Sequence, residues 1–145
     1  MTNLATIVRT SAQRTPAGIA VKLDDIEISF GALEVLSSKV AGLLAAQGVN
    51  PGDRVALISP NLPQMPAIYY GILRYGAIVV PLNPLLKSRE VAYHLSDSGA
   101  VLAFAWDGVL GEVEAGAAAT GTKVIPIGPD FMGLVTASEA LPDIA

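Results

Sequence analysis

The sequence contains no cysteine, and His94 is its single histidine. Without cysteine the chain has no disulfide framework, no thiolate metal site and no cysteine nucleophile. His94 falls within a predicted helix, beside Tyr93, with no acidic partner and no metal-ligand spacing around it. A position on the surface of that helix therefore explains His94 better than a role as a catalytic base.

Charged residues are also scarce, at 15% of the chain, whereas typical soluble domains contain about 25%. Apolar residues make up 52%. This imbalance favours a subdomain that packs against a larger partner, although a small and very apolar complete domain would have the same composition. The nine lysines and arginines are scattered over a chain of net charge −4, so we do not expect a nucleic-acid partner.

Long apolar runs are absent as well. The most apolar stretch, residues 67–82, is interrupted by Arg74, Pro81 and two glycines, and a membrane-spanning helix needs about 20 predominantly apolar residues. The first residues of the chain lack the continuous apolar core that a signal peptide requires. We therefore expect no membrane span and, since cysteine is absent too, a cytoplasmic location.

The sequence motifs of phosphate binding and of hydrolysis are missing. Neither GxGxxG nor GxxxxGK(S/T) occurs. Ser59 follows a predicted strand but lacks the flanking glycines of a hydrolase nucleophile elbow. Capping explains the acidic residues at the ends of predicted elements, which are Asp53, Asp97, Asp107 and Asp130. The sequence therefore predicts no catalytic, cofactor-binding or metal-binding residue within these 145 positions.

What the sequence does contain is a βαβ crossover over residues 48–84. The continuous apolar run 55–58, bounded by turn residues, predicts a strand that is buried on both faces. Ile68 and Ile72 then lie on one stripe of a predicted helix, and the β-branched run 78–80 predicts a second strand. Parallel crossovers of this kind usually belong to proteins that bind ligands at the carboxyl ends of their strands.

Further elements surround this crossover. Alternating apolar residues over 20–30 predict a β-hairpin with one buried face, and a helix follows it. After the crossover come a helix with an N-cap at Ser88, a strand, a helix whose last part (115–121) is frayed, and a final strand at 124–127. We expect an α/β fold: a doubly wound, mostly parallel sheet with flanking helices and a small N-terminal β-hairpin.

The whole chain, residues 1–145, is predicted to be a single N-terminal subdomain. Residues 1–30 contain a helix and the β-hairpin, and residues 31–128 contain a helix followed by a βαβαβαβ unit. Residues 129–145 are predicted to be an irregular tail.

Four segments, in their usual order, resemble motifs of one family. Residues 28–33 (ISFGAL) are similar to its motif L-T-Y-x-E-L, and residues 73–83 (LRYGAIVVPLN) to L-K-A-G-x-A-Y-V-P-L-D. Residues 48–54 match G-V-x-P-G-D-R, and residues 93–98 match a further recurring stretch. Together they resemble the N-terminal part of the adenylate-forming, AMP-binding enzymes: acyl-CoA synthetases (fatty-acid–CoA ligases), peptide-synthetase adenylation domains and luciferases. Asn83 with the following proline is most similar to the acyl-CoA synthetases.

The resemblance implies a two-step reaction for a full-length enzyme. A carboxylic or fatty acid attacks the α-phosphate of ATP, with Mg²⁺, to give an acyl-adenylate and pyrophosphate, and CoA then displaces AMP. The family's ATP-binding loop and its later catalytic residues have no counterpart in this sequence. The resemblance thus implies a ligase fragment that is inactive by itself and binds none of these cofactors. Its partners would be the remainder of its own polypeptide and the acid substrate.

The residues leave alternatives open. One is a fragment of a peptide-synthetase adenylation domain or of a luciferase-like enzyme, and another is a complete, non-catalytic α/β module that binds a partner. Tyr69 or Tyr70 is a candidate for the wall of an acyl pocket beside helix 63–75, although core packing explains both better. Packing is also favoured for Trp106. An unfinished subdomain would self-associate through exposed apolar surface.

Overall fold

The computed structural model describes residues 2–145, which form six α-helices and six strands. The helices are α1 (Thr6–Arg14), α2 (Phe30–Ala46), α3 (Gln64–Tyr75), α4 (Ser88–Ser98), α5 (Leu110–Thr120) and α6 (Phe131–Ala137). The strands are β1 (Ile19–Leu23), β2 (Ile26–Ser29), β3 (Arg54–Ile58), β4 (Ile78–Leu82), β5 (Leu102–Trp106) and β6 (Lys123–Ile127). A 3₁₀ turn at Asp107–Val109 leads into α5.

Strands β3 to β6 form a parallel sheet in the order β4-β3-β5-β6. Val55 of β3 is paired with Val79 of β4 on one side and with Leu102 of β5 on the other. The outer strand β4 contains Pro81, whose missing N–H is tolerated at the edge of a sheet. Because α2, α3 and α6 pack on one face and α4 and α5 on the other, the predicted doubly wound α/β fold is confirmed.

The two faces of the sheet carry side chains of different size. Leu57 and Phe104 are buried beneath α2 and α3, whereas Ala103 and Ala105 are buried beneath α4 and α5. Successive residues of a strand point to opposite faces, so the alternation of large and small residues in β5 sets this asymmetry. Most of the bulky core therefore lies on the α2–α3 side.

β1 and β2 form the predicted antiparallel hairpin, with Leu23 opposite Ile26 and Val21 opposite Ile28. The expectation that this hairpin has a buried face is wrong. Leu23 and Ile26 are 40% and 55% exposed, and Val21 and Ile28 are only half-buried. Two strands by themselves bury little apolar surface, and a third strand or a packed helix is needed to cover one face.

The start of α4 differs from its prediction. Ser88 is the first helical residue rather than the N-cap, which is Lys87. The backbone N–H of Lys87 donates to Oε1 of Glu90 at 3.1 Å. The acidic side chain in the first turn therefore provides the capping that the sequence assigned to serine.

The second half of α5 is helical up to Thr120, and its predicted fraying is wrong. Gly116 and Ala117 are buried where α5 meets α4. A Cβ added at Gly116 would lie 2.8 Å from a methyl group of Val91 in α4. The small residues thus allow a close helix–helix contact, and that contact together with the alanines of this segment keeps it helical.

Residues 129–145, predicted to be an irregular tail, contain the short helix α6. Phe131 and Val135 are buried on the same face of the sheet as α2. The ring of Phe131 meets that of Phe104 edge-on, with centroids 6.0 Å apart. In so short a helix two buried side chains leave little periodicity in the sequence, and tertiary packing stabilises it instead.

Candidate functional site

The crossovers that leave the two central strands run to opposite faces of the sheet. α3 follows β3 on one face, and α5 follows β5 on the other. In parallel α/β sheets, loops that diverge in this way open a crevice at the carboxyl ends of the strands, where ligands commonly bind. The two loops are residues 59–63 after β3 and residues 107–109 after β5.

An apolar cleft of about 560 Å³ lies at this edge of the sheet. The hairpin, α2, the loop after β3 and the ends of β5 and β6 form its walls, with Leu23, Ile26, Ile28, Leu62, Trp106 and Ile127 among its lining side chains. We refer to it as the carboxyl-end cleft. Pockets for small molecules commonly have volumes of about 300–1,000 Å³, so the cleft is large enough to hold an apolar group of substantial size.

Two polar side chains, Glu27 and Gln64, also line the carboxyl-end cleft. Oε1 of Gln64 is buried and has no hydrogen-bond partner among residues 2–145. No lysine, arginine or histidine in that range lines the cleft. The arrangement offers apolar surface and one buried hydrogen-bond acceptor, but no pair of groups placed for nucleophilic or acid–base catalysis.

A buried charge lies at the other end of α3. Arg74 is 2% exposed, and its Nη1 donates to Oε1 of Glu34 in α2 at 2.8 Å. Its Nε donates to the carbonyl of Leu141 at 3.0 Å, and its Nη2 donates to the carbonyl of Pro142. Each of the three guanidinium nitrogens thus has a protein acceptor, and Arg74 holds the C-terminal segment rather than presenting a free cation to a ligand.

The carboxylate of Glu34 has a second arginine neighbour. Nε of Arg9 in α1 lies 3.5 Å from Oε1 of Glu34, and Nη2 of Arg9 donates to the carbonyl of Pro142. Oε2 of Glu34 is buried without a protein partner among residues 2–145. Glu34 also lines a cavity of about 430 Å³ together with Arg9, Gln13 and Arg74.

This cluster was not part of the sequence prediction, in which Arg74 only interrupted an apolar stretch. Glu34 and Arg74 are 40 positions apart, so no helical or strand spacing connects them. The one signal available in the sequence was a charged residue within the apolar segment 67–82, because such a residue is rarely buried without a partner.

The polar residues singled out in the sequence have local roles. Oγ of Ser59 donates to the carbonyl of Pro60 at 2.8 Å. Oδ2 of Asp53 accepts from the backbone N–H of Asn50 at 2.8 Å. The capping predicted for Asp107 and Asp130 is wrong, since neither side chain makes a capping hydrogen bond to the helix that follows. His94 is half-buried, and its ring lies 5.4 Å from that of Tyr93. The structure does not bring these groups together at one site.

The aromatic candidates lie in two different places. Tyr69 packs against the large core beneath α2 and α3, and Tyr70 packs against a smaller cluster that contains Val8 and Leu33. Their rings meet edge-on at 5.8 Å. Trp106 is half-buried and lines the carboxyl-end cleft. A role for either tyrosine in an acyl pocket stays a prediction, since neither lines that cleft.

Two further properties bear on the kinds of site this chain can form. Among residues 2–145, histidine, aspartate and glutamate side chains do not gather in any group of three or more that would hold a metal ion. In the same range, every helix is too short or too polar to cross a membrane.

Residues 8–139 match the sequence model of a family described as AMP-binding enzyme. The chain is also similar to two curated long-chain-fatty-acid–CoA ligases. The one from Bacillus subtilis (strain 168) is 38% identical over 95 residues, which are 66% of this chain and 17% of that protein. The one from Yersinia pestis is 49% identical over 75 residues, which are 51% of this chain and 13% of that protein.

Among solved structures, the N-terminal domain of FACL13 from Mycobacterium tuberculosis is similar with a TM-score of 0.87 and 27% sequence identity. The alignment covers all of this chain and 38% of that domain. The matched part of the chain covers less than a fifth of the length of each of these curated relatives. The family match nevertheless extends over most of the chain, including the four segments that resemble the family's motifs. The chain therefore belongs to the AMP-binding enzyme family.

Proposed function

We propose that this chain is the N-terminal portion of an AMP-forming acyl-CoA ligase, whose full-length form joins a fatty acid or another carboxylic acid to CoA. The observation that carries this proposal is the similarity, at up to 49% identity, to proteins named long-chain-fatty-acid–CoA ligase. The family match over residues 8–139 supports the same conclusion. The similarity to an N-terminal domain of FACL13 is consistent with the position of the chain in such an enzyme.

The reaction uses ATP, Mg²⁺ and CoA. The carboxylate of the acid attacks the α-phosphate of ATP, pyrophosphate leaves, and the CoA thiol then displaces AMP from the acyl-adenylate. A divalent ion supplies charge stabilisation at the phosphate groups. Since residues 2–145 contain no metal-ligand cluster, this proposal assigns the phosphate chemistry to the remainder of the polypeptide.

In this proposal residues 1–145 are a single subdomain with a structural task. The partners are the remainder of its own polypeptide and, through the full-length enzyme, the acid substrate. The isolated chain binds none of ATP, Mg²⁺ and CoA, and it forms no acyl-adenylate. The location is cytoplasmic, for which the cysteine-free sequence is the support.

The test is an assay of the full-length parent protein with ATP, Mg²⁺, CoA and a series of fatty acids from short to long. Formation of AMP, pyrophosphate and acyl-CoA that depends on both the acid and CoA is the expected result. The isolated 145-residue chain, assayed in parallel, should form no AMP. Acid-dependent release of pyrophosphate by the isolated chain would contradict its purely structural role. A full-length parent that forms no acyl-CoA from any of these acids would contradict the proposed reaction.

A further inference from the structure

Residues 138–145 lie against α2 and α3 without contributing a buried side chain. Ser138, Leu141 and Ile144 are half-buried, and the other residues of this segment are exposed. None of them belongs to a helix or a strand. Because burial of apolar side chains is the main favourable contribution to folding, the segment lacks the kind of anchor that the two buried side chains of α6 provide. We refer to residues 138–145 as the strap.

Hydrogen bonds to backbone groups hold the strap in place. The N–H of Leu141 donates to the carbonyl of Ser38 at 3.0 Å, and the N–H of Ala145 donates to the carbonyl of Arg74 at 2.9 Å. The carbonyls of Leu141 and Pro142 accept from the guanidinium of Arg74. Two further side-chain donors bind the strap: Asn3 at the carbonyl of Ala145, and Arg9 at the carbonyl of Pro142. Each such bond makes only a modest net contribution to stability in water.

The strap is also loosely packed, since three cavities border it. One of about 430 Å³ is lined by Ala140 and Pro142 together with side chains of α1, α2 and α3. A second, of about 260 Å³, lies between residues 141–145 and the ends of α2 and α3. A third, of about 500 Å³, lies between the strap and the last residues of α2. Protein interiors contain few voids of this size, so the strap has fewer packing contacts than a core element.

We propose that the strap opens and closes as one unit while the parallel sheet stays folded, and that Arg74 is the latch of this movement. Two guanidinium nitrogens of Arg74 bind carbonyls of the strap, and the third binds Glu34. The guanidinium therefore keeps one partner when the strap is open. Opening uncovers residues 38–42 of α2 and leaves the large core intact, because no strap residue belongs to that core. The movement is a property of this chain and does not depend on the proposed function.

The absence of cysteine lets a single thiol report on this opening. Ala41 in α2 is completely buried and lines the cavity next to residues 141–145. Ala103 in β5 is completely buried on the opposite face of the sheet. Ala41→Cys and Ala103→Cys are made separately in the 145-residue chain, and maleimide labelling is followed by mass spectrometry at several urea concentrations below the unfolding transition.

Labelling at position 41 should be faster than at position 103 by about tenfold or more, because the first needs only local opening and the second needs unfolding of the sheet. The rate at position 41 should also rise less steeply with urea, since opening of the strap exposes less surface than unfolding. Equal rates with equal urea dependence would overturn the proposal. So would a rate at position 41 that does not depend on urea, because the thiol would then react in the closed state.

A substitution far from the strap separates opening from unfolding. Val113 is buried beneath α5 on the α4–α5 side of the sheet. Val113→Ala should raise the labelling rate at position 103 by about tenfold, because it removes buried methyl groups and leaves a cavity. The rate at position 41 should not change, since both the closed and the open form contain the folded sheet. An equal increase at position 41 would overturn the proposal, because labelling there would then require global unfolding.

The latch has a test of its own. Arg74→Lys keeps a positive charge but cannot bind Glu34 and two carbonyls with a planar fork. It should therefore destabilise the closed form and raise the labelling rate at position 41 by about tenfold. The rate at position 103 should rise by a similar factor, because unfolding also starts from the closed form. An unchanged rate at position 41 would contradict the role of Arg74 as the latch.

Discussion

The two ends of α3 differ in how completely the chain surrounds them. At the C-terminal end, the guanidinium of Arg74 is buried and donates to Glu34, Leu141 and Pro142. At the N-terminal end, Gln64 lines an open apolar cleft, and its Oε1 is buried without a hydrogen-bond partner among residues 2–145. The first residue of α3 thus borders an open cleft, whereas the end of α3 is covered by residues 138–145. We refer to these as the open end and the closed end of α3.

This difference follows the path of the polypeptide. Residues 138–145 return to the end of α3, where they supply two carbonyl acceptors to Arg74, whereas the beginning of α3 borders the open cleft. Buried polar groups in native proteins are nearly always hydrogen-bonded. The closed end shows that this sequence can satisfy a costly buried charge, whereas Oε1 of Gln64 has no hydrogen-bond partner among residues 2–145.

The largest effect is expected at the closed end, from Arg74→Ala. This change removes three donated hydrogen bonds and leaves Glu34 without its partner at 2.8 Å. Removing one member of a buried ion pair costs about 3–5 kcal/mol, and we expect a loss of that size in the free energy of unfolding, measured by urea denaturation. Arg74→Lys should lose less, because it keeps the charge but cannot reach the same acceptors with a planar fork. A loss below about 1 kcal/mol for the alanine variant, typical of exposed pairs, would show that the closed end is open to water.

A somewhat smaller effect is expected from Gly42→Ala, where the C-terminal segment crosses α2. A Cβ at this position would lie 1.6 Å from the backbone oxygen of Glu139, so residues 138–145 would have to move away. Such overpacking typically costs about 1–3 kcal/mol, and hydrogen exchange of residues 138–145 should become faster. The matched control is Gly111→Ala in α5, where a Cβ meets nothing within 4 Å and alanine should stabilise the helix by about 0.5–1 kcal/mol. Equal effects of the two variants would contradict the close crossing.

The arrangement of sheet and helices could be predicted from the sequence, because its signals are local. The apolar run 55–58 is a buried parallel strand, and the β-branched run 78–80 is a parallel edge strand whose residues are half-buried or exposed. Gly76 and Gly99 end α3 and α4 with positive φ values, which glycine adopts at little cost. Apolar runs in strands and glycines at helix ends are recognised from neighbouring residues alone. They therefore predict the strands and helices without knowledge of the tertiary packing.

The polar contacts and the exposed hairpin could not be predicted in the same way. The pairing of Arg74 with Glu34 joins residues 40 positions apart, and the acceptors at Leu141 and Pro142 come from a segment predicted to be irregular. The alternating pattern of the hairpin correctly predicted its strands, but alternation shows which face is apolar and not whether a covering segment is present. Both failures concern long-range packing, which periodicity does not encode.

At the open end of α3, Ile26→Lys should have little effect on the free energy of unfolding and a larger effect on dye binding and self-association. Ile26 is 55% exposed, so the free energy of unfolding of the 145-residue chain should change by no more than about 0.5 kcal/mol. Binding of a hydrophobic dye such as bis-ANS, and any self-association of the chain, should both decrease, because the cleft loses part of its apolar wall. Leu85→Lys, which removes an exposed apolar residue outside the cleft, should leave dye binding unchanged. A similar decrease in both variants would mean that the dye does not report on the cleft.

The smallest effect is expected from Gln64→Leu in the 145-residue chain, and it gives the sharpest contrast with Arg74. Oε1 of Gln64 has no partner to lose, and leucine has nearly the same length and suits the apolar lining of the cleft. We expect the free energy of unfolding to stay within about 0.5 kcal/mol of the unaltered chain, or to rise slightly. A loss above about 1 kcal/mol would show that Gln64 has a hydrogen-bond partner within the chain. The beginning of α3 would then be fixed by a side-chain hydrogen bond, as its end is.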